Sequence, residues 1–200
     1  MNRQIVLASS NQGKAREFKA LLEPLGYNVV LQKEFNVPEA NEDGLSFIEN
    51  AIIKARNAAK YSNHWALADD SGICVDALNG APGIYSARYS GVHGDEKGCN
   101  KKLLEELKNV PFEKRTARYC CALALVRSYD DPVPLTVLCS WDGNIGFEEV
   151  GSGGFGYDPL FVVTNRNCTA AQLPPQIKNL ISHRGRALQS LVYKLEHMSR

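Results

Sequence analysis

Apolar and polar positions fall in blocks along the chain, and the period changes from block to block. Residues 5–8 are a short apolar run closed by Ser9-Ser10-Asn11, after which Ala15, Phe18, Leu22 and Leu25 recur at helical spacing. Gly26 stops that helix, and residues 28–32 read as a second strand. Strand, polar turn, helix and strand in that order begin an α/β sheet. Ser46 with Glu49 three residues on has the spacing of a helix-opening capping box. Phe47, Ala51, Ala55 and Ala58 then keep a helical stripe, with Lys54 and Arg56 assigned to other faces. Residues 65–68 predict a short strand ending at Asp69-Asp70.

The second half of the chain changes character. Residues 76–98 are rich in Gly and Pro and predict a structured loop, and Leu103, Leu104 and Leu107 mark a third helix. Residues 117–127 and 134–141 predict two long strands joined by a turn over 128–132, with residues 145–150 extending that antiparallel portion. GSGGFG at 151–156 precedes a strand over 160–163. A last helix over 183–198 places Leu188, Leu191, Val192 and Leu195 inward. The expected fold class is α/β, a mixed β-sheet flanked by helices.

Composition narrows the class without choosing a function. The 200 residues are 44% hydrophobic and 22% charged, an ordinary globular makeup that excludes collagen, coiled coil and disorder. Lys plus Arg number 23 against 22 acidic residues, so there is no broad basic surface of the kind that grips nucleic acid. No run approaches the roughly 18 apolar residues of a membrane span, and the N-terminal stretch is too polar for a signal peptide. The six cysteines form no C-x-x-C pair, which argues against a zinc ribbon and suits free thiols in a reducing cytoplasm.

Four segments carry candidate chemistry. Ser9, Ser10, Asn11, Gln12, Gly13 and Lys14 lie between a strand and a helix, where free N–H groups attract anions. The alternative is a plain Ser or Asn cap with a solvated lysine. The segment is no Walker loop, since Ala15 follows Gly-Lys where Ser or Thr is needed. Asp69 and Asp70, followed by Ser71, form an acidic pair suited to Mg²⁺ or to water activation, only one of the two being expected to face a site; an Asp-rich turn is the bland reading. Glu39 and Glu42 are upstream acids free for metal work. GSGGFG matches G-x-G-x-x-G formally, but it leads into a strand and so is no dinucleotide fingerprint. Its glycines still allow close backbone approach, and Phe155 and Tyr157 are candidates for stacking on a base. Lys178, His183 and Arg184 cluster near the last helix and suit phosphate or purine carbonyl recognition.

The segments ASSNQGKAREF, EDGLSFIENAIIKAR, ALADDSGICVDALNGAPGIYSARYSG, GSGGFGYDPLF and ISHRGRAL, in this order, resemble the inosine triphosphate pyrophosphatase family, most closely its bacterial dITP/XTP branch. The resemblance covers residues 5 to 190. It implies an elongated mixed sheet with two lobes and a central cleft, a single catalytic domain over 1–200, a cytoplasmic homodimer and Mg²⁺ as cofactor. The implied reaction is hydrolysis of non-standard purine nucleoside triphosphates (dITP, ITP, XTP) to monophosphate and pyrophosphate. By the same resemblance, residues Ser9 to Lys14 form the triphosphate turn, and Asp70 is general base and metal contact. Ser71 touches substrate, Phe155, Gly156, Tyr157 and Asp158 form the nucleobase loop, and Lys178, His183 and Arg184 make the remaining nucleotide contacts. Close bacterial members carry two Glu where this chain has Asn41-Glu42, so Glu42, or else Glu39 or a water, takes the second metal position. The rival readings are an orthophosphate-releasing NTPase and a non-catalytic nucleotide-binding module.

Overall fold

The computed structural model describes residues 3–9 and 12–197, with the backbone alone for Arg3, Gln12 and Gly13. In chain order the elements are β1 (Arg3–Leu7), α1 (Gln12–Leu22), β2 (Tyr27–Leu31), α2 (Phe47–Ser62), β3 (Trp65–Val75), α3 (Glu96–Glu106), β4 (Thr116–Val126), β5 (Leu135–Ile145), β6 (Phe161–Val163), α4 (Pro175–Ile181) and α5 (His183–Glu196). The strands form one sheet in the order β2-β1-β3-β4-β5-β6. β1 runs parallel to β2 and to β3, pairing Ile5 with Val29 and with Trp65, while β5 and β6 are antiparallel. The mixed sheet flanked by helices is the expected class.

Several boundaries differ from the sequence reading, each for a local reason. α1 stops at Leu22 and tightens into a 3₁₀ turn over Glu23–Leu25, because Pro24 cannot continue the helical hydrogen bonds. β3 does not end at the acidic pair but continues to Val75, so Asp69 and Asp70 sit in mid-strand. Its neighbour β4, distant in sequence, supplies the pairing that the local pattern could not reveal. α3 begins at Glu96, inside the span expected to be loop, where the Asp95 side chain caps it by accepting from Gly98 N (3.0 Å). Residues 146–150 are not a strand; Gly146 N and Val150 N donate instead to the carbonyls of Leu160 (2.7 Å) and Pro159 (2.9 Å). α4 was not expected, although a proline in its first turn is a helix-start signal.

The chain divides into two compact units. One comprises Met1–Asp70, Cys121–Leu138 and Ala187–Arg200, the other Ser71–Cys120 and Cys139–Arg186. Small side chains fill one core of the first: Ala51, Ala55, Ala58 and Ala59 of α2 pack with Val6, Ala66, Ala68, Ala122, Ala124 and Val126. Alanines on both surfaces let the helix approach the sheet closely. The second unit is built on large side chains, among them Ile73, Leu103, Leu107, Tyr119, Trp141 and Phe161. All six cysteines are free thiols. Among the described residues no helix is long and apolar enough to cross a membrane.

Candidate active site

In the first unit, α2 and β3 bring opposite charges together. Ser46 accepts a hydrogen bond from Glu49 N (3.2 Å), and the Glu49 carboxylate accepts from Leu45 N (2.9 Å) and the Ser46 hydroxyl (2.8 Å). This cap fixes the start of α2, and Lys54 follows two turns later. Lys54 Nζ donates to Asp70 Oδ1 at 2.6 Å and lies 3.2 Å from Glu42 Oε2. Next to it on β3, Asp69 is ion-paired with Lys14 from the first turn of α1, and accepts a weak hydrogen bond from Cys121 Sγ (3.6 Å). Both aspartates are therefore engaged by lysines, and Asp69 is buried.

Asp70 is the group that this network leaves half used. Its Oδ2 atom is buried and has no hydrogen-bond partner among the described residues. An ion pair ordinarily lowers a carboxyl; here burial outweighs the Lys54 ammonium and, with Glu42 and Asp69 adding to it, pushes Asp70 above its ordinary range. Burial also works to lower Lys54, but the charge and hydrogen bond of Asp70, with Glu42 and Asp69, overcome it and hold the ammonium. A buried, open carboxylate oxygen with a second carboxylate close by fits Mg²⁺, which takes one or two carboxylates and completes its shell with water and phosphate oxygens. Among the described residues no three His, Cys, Asp or Glu side chains form a metal cage of their own.

The second unit holds an open pocket of about 160 Å³, whose lining includes Ser71, Tyr119, Phe155, Gly156, Tyr157 and His183. Asp158 organises its loop: it accepts from Phe155 N (2.8 Å) and from the Tyr119 hydroxyl (3.3 Å), and is ion-paired with Lys178. Gly154 has φ +75°, and a Cβ there would run into the Asp158 carboxylate, so the Gly-rich stretch is required by this close approach. Asn100 of α3 donates to the Gly156 carbonyl (3.1 Å) from the other side. The exposed Phe155 ring lies beneath two cations, Lys178 Nζ at 4.8 Å and the Arg184 guanidinium at 5.4 Å. His183 is buried and stacked on Tyr119, centroids 4.6 Å apart and planes 7° from parallel. Tyr157 is also buried; its hydroxyl donates to the Ser86 carbonyl (2.8 Å), and burial is the main reason its pKa is raised. Gly185 presses on the Asn179 carbonyl where α4 meets α5, with no room for a Cβ.

Among the expected site residues, Lys14, Glu42 and Asp70 belong to the first unit's network. Ser71, Phe155, Gly156, Tyr157, Asp158, Lys178, His183 and Arg184 belong to the second unit's pocket and its surround. Ser9 closes β1, its N–H donating to the Leu7 carbonyl (2.8 Å). Ser10 and Asn11 lie outside the described residues, as do the side chains of Gln12 and Gly13. Glu39 is exposed, whereas Glu42 joins Lys54. Sequence reasoning missed Lys54, and placing it on a face other than the apolar stripe is a misreading. It stands three residues after Ala51 on the inner stripe, with only 16% of its side chain exposed. A lysine on an apolar stripe is the signal that could have found it. Tyr119 was missed as well, since its role depends on partners from distant loops.

The matches to known proteins cover nearly the whole chain. A model of the Ham1 family matches residues 5–194. A dITP/XTP pyrophosphatase from Vibrio cholerae is 53% identical over 97% of both chains, and one from Thioalkalivibrio sulfidiphilus is 52% identical over 96% of this chain and 98% of its own. Among solved structures, a HAM1 protein from Coxiella burnetii superposes with a TM-score of 0.93 at 46% identity, covering 97% of this chain and 98% of that one. The Ham1 protein of Staphylococcus aureus gives 0.91 at 39% identity, covering 98% of this chain and all of its own. The chain belongs to the Ham1 family.

Proposed function

We propose that this chain hydrolyses non-standard purine nucleoside triphosphates (dITP, ITP, XTP) to the monophosphate and pyrophosphate, acting as one catalytic domain over residues 1–200. The observation that carries the reading is Asp70, a buried carboxylate with one oxygen on Lys54 and the other open. A module that only bound nucleotides has no need of such a group. The relatives named dITP/XTP pyrophosphatase support the substrate class.

Asp70 orients a water and takes its proton as the water oxygen bonds to the α-phosphorus and the bond to the bridging oxygen breaks. Residues 9–14, with the Lys14 ammonium and the N–H groups of the α1 N-terminus, receive the leaving pyrophosphate. Asp70 and Glu42 would hold Mg²⁺, which would supply neutralisation of the phosphate charge. Lys54 keeps Asp70 and Glu42 aligned.

The second unit handles the base. Phe155 offers a ring to stack on, its underside already polarised by Lys178 and Arg184. Donors such as Lys178, His183 and Arg184 suit the 6-oxo acceptor of hypoxanthine and xanthine. Adenine presents an amino donor there, leaving such groups unpaired at a cost of about 1–3 kcal/mol. A cytoplasmic setting, which the six free thiols suit, and a homodimer complete the proposal.

The test incubates the purified protein with dITP, XTP, dGTP and dATP, with Mg²⁺ or with EDTA, and identifies the released phosphate. Pyrophosphate from dITP and XTP, lost with EDTA, is the expected result. Orthophosphate release, or equal rates on dATP and dITP, overturns the reading.

A further inference from the structure

β3 and β4 are neighbours in the sheet, and their outward faces carry an ordered set of polar side chains. On β3, Ile73 and Val75 are buried in the core, and Cys74 between them turns to the opposite face. On β4, Ala117 and Tyr119 are buried while Thr116, Arg118 and Cys120 alternate outward. Just past the end of β3, Asp76 accepts hydrogen bonds from Thr116 Oγ1 (2.7 Å) and from Arg118. Two residues back along β3 and two forward along β4, the thiols of Cys74 and Cys120 are hydrogen-bonded to each other. Both are half-buried, whereas Cys99 and Cys121 are buried.

The two thiols are not equivalent. The hydrogen bond from Cys120, helped by the Arg118 charge, brings Cys74 down to about 7, against the opposing effects of burial and Asp76. That same hydrogen bond, burial and the Cys74 charge push Cys120 up, against Arg118, with Asp142 adding to the rise. A partly exposed thiolate beside an arginine, with a second thiol in contact, is the arrangement of an attacking cysteine and its resolving partner.

We propose that Cys74 and Cys120 form an oxidation site at which a hydroperoxide converts the two thiols into a cross-strand disulfide. The Cys74 thiolate attacks the peroxide; an S–O bond forms, the O–O bond breaks, and the departing oxygen takes up a proton to leave as water or an alcohol. Cys120, giving up its proton, then attacks the sulfenic sulfur; the S–S bond forms and a second water leaves. A disulfide needs Cβ atoms about 3.5–4.5 Å apart, so the bond closes as the two contacting thiols draw the strands together locally, and it stays reducible by thiols. It clamps β3 to β4 immediately beside Tyr119, which lines the pocket.

The test is chemical and independent of hydrolysis. The native protein is titrated with hydrogen peroxide, remaining thiols are alkylated, and proteolytic peptides are analysed by mass spectrometry with and without dithiothreitol. The expected result is a loss of two alkylatable thiols and a Cys74–Cys120 cross-linked peptide that dithiothreitol removes. With Cys120→Ser, Cys74 accumulates a sulfenic acid that dimedone traps; with Cys74→Ser, Cys120 stays alkylatable at the same peroxide dose. Cys74 and Cys120 both remaining alkylatable while other thiols oxidise overturns the proposal, as does Cys74 pairing with any other cysteine or with a second chain.

Discussion

Charge organises the candidate residues of the first unit, and aromatic rings organise those of the second. Lys14, Glu42, Lys54, Asp69 and Asp70 form two linked lysine–carboxylate sets on a scaffold of alanines. Tyr119, Trp141, His183, Phe155 and Tyr157 form stacks and walls, with the Asp158–Lys178 pair as the principal buried charge contact. Under the proposed function the contrast follows from what each set of residues must distinguish, the first the triphosphate and the second the base. Triphosphates differ little among nucleotides, so charge placement suffices for them. Bases differ in shape and donor pattern, which calls for rigid surfaces. If so, changes in the charged half alter turnover, and changes in the aromatic half alter apparent affinity and substrate ranking.

The largest effect expected is from Asp70→Asn, which should lower kcat by roughly 10²–10⁴-fold while nucleotide binding, measured by calorimetry, persists. A loss of binding without a loss of turnover would reverse the division. Asp158→Asn breaks a buried pair and leaves Lys178 uncompensated, so chemical denaturation should show a loss of about 3–5 kcal/mol. Phe155→Ala should raise KM for dITP by an amount corresponding to about 1–3 kcal/mol, with kcat nearly unchanged, if the ring serves as a stacking surface. Lys54→Gln sharpens the comparison through pH. In the metal-free protein burial raises the Asp70 carboxyl above its usual range, against the lowering influence of Lys54. Removing the ammonium removes that influence, so the Asp70 titration of the metal-free protein, followed by carboxyl NMR, moves to higher pH; an unmoved titration means Lys54 does not set it. Smallest is Ser46→Ala, expected to cost about 1 kcal/mol of stability by uncapping α2, the helix that presents Lys54.

Much of this arrangement is legible in the chain, and the illegible parts share a cause. The capping spacing of Ser46 and Glu49 and the stripe through Leu188 and Leu191 are local signals, and α2 and α5 follow them. β3 reads as four residues and runs to Val75, because its continuation is stabilised by β4, some forty positions away. The acidic pair was visible; that lysines engage both of its members was not, since Lys14 and Lys54 come from separate helices. Phe155 stood out beside its glycines, whereas Tyr119 looked like one more apolar strand residue until His183 and Asp158 were placed against it. Local pattern gives elements and candidate chemistry, and pairing distant in sequence decides how long each element is and whom its side chains meet.

The contact between Gly185 and the Asn179 carbonyl also bears on how this sequence can drift. Nothing at position 185 touches a nucleotide through a side chain, yet even a methyl group there would force α4 and α5 apart. His183 and Arg184, which immediately precede it, would be displaced together, so one steric veto guards two positions proposed to contact the nucleotide. In a saturation library, variants at 185 should therefore drop out as completely as those at the charged residues, and a ranking by mutational intolerance alone would mistake a spacer for a participant.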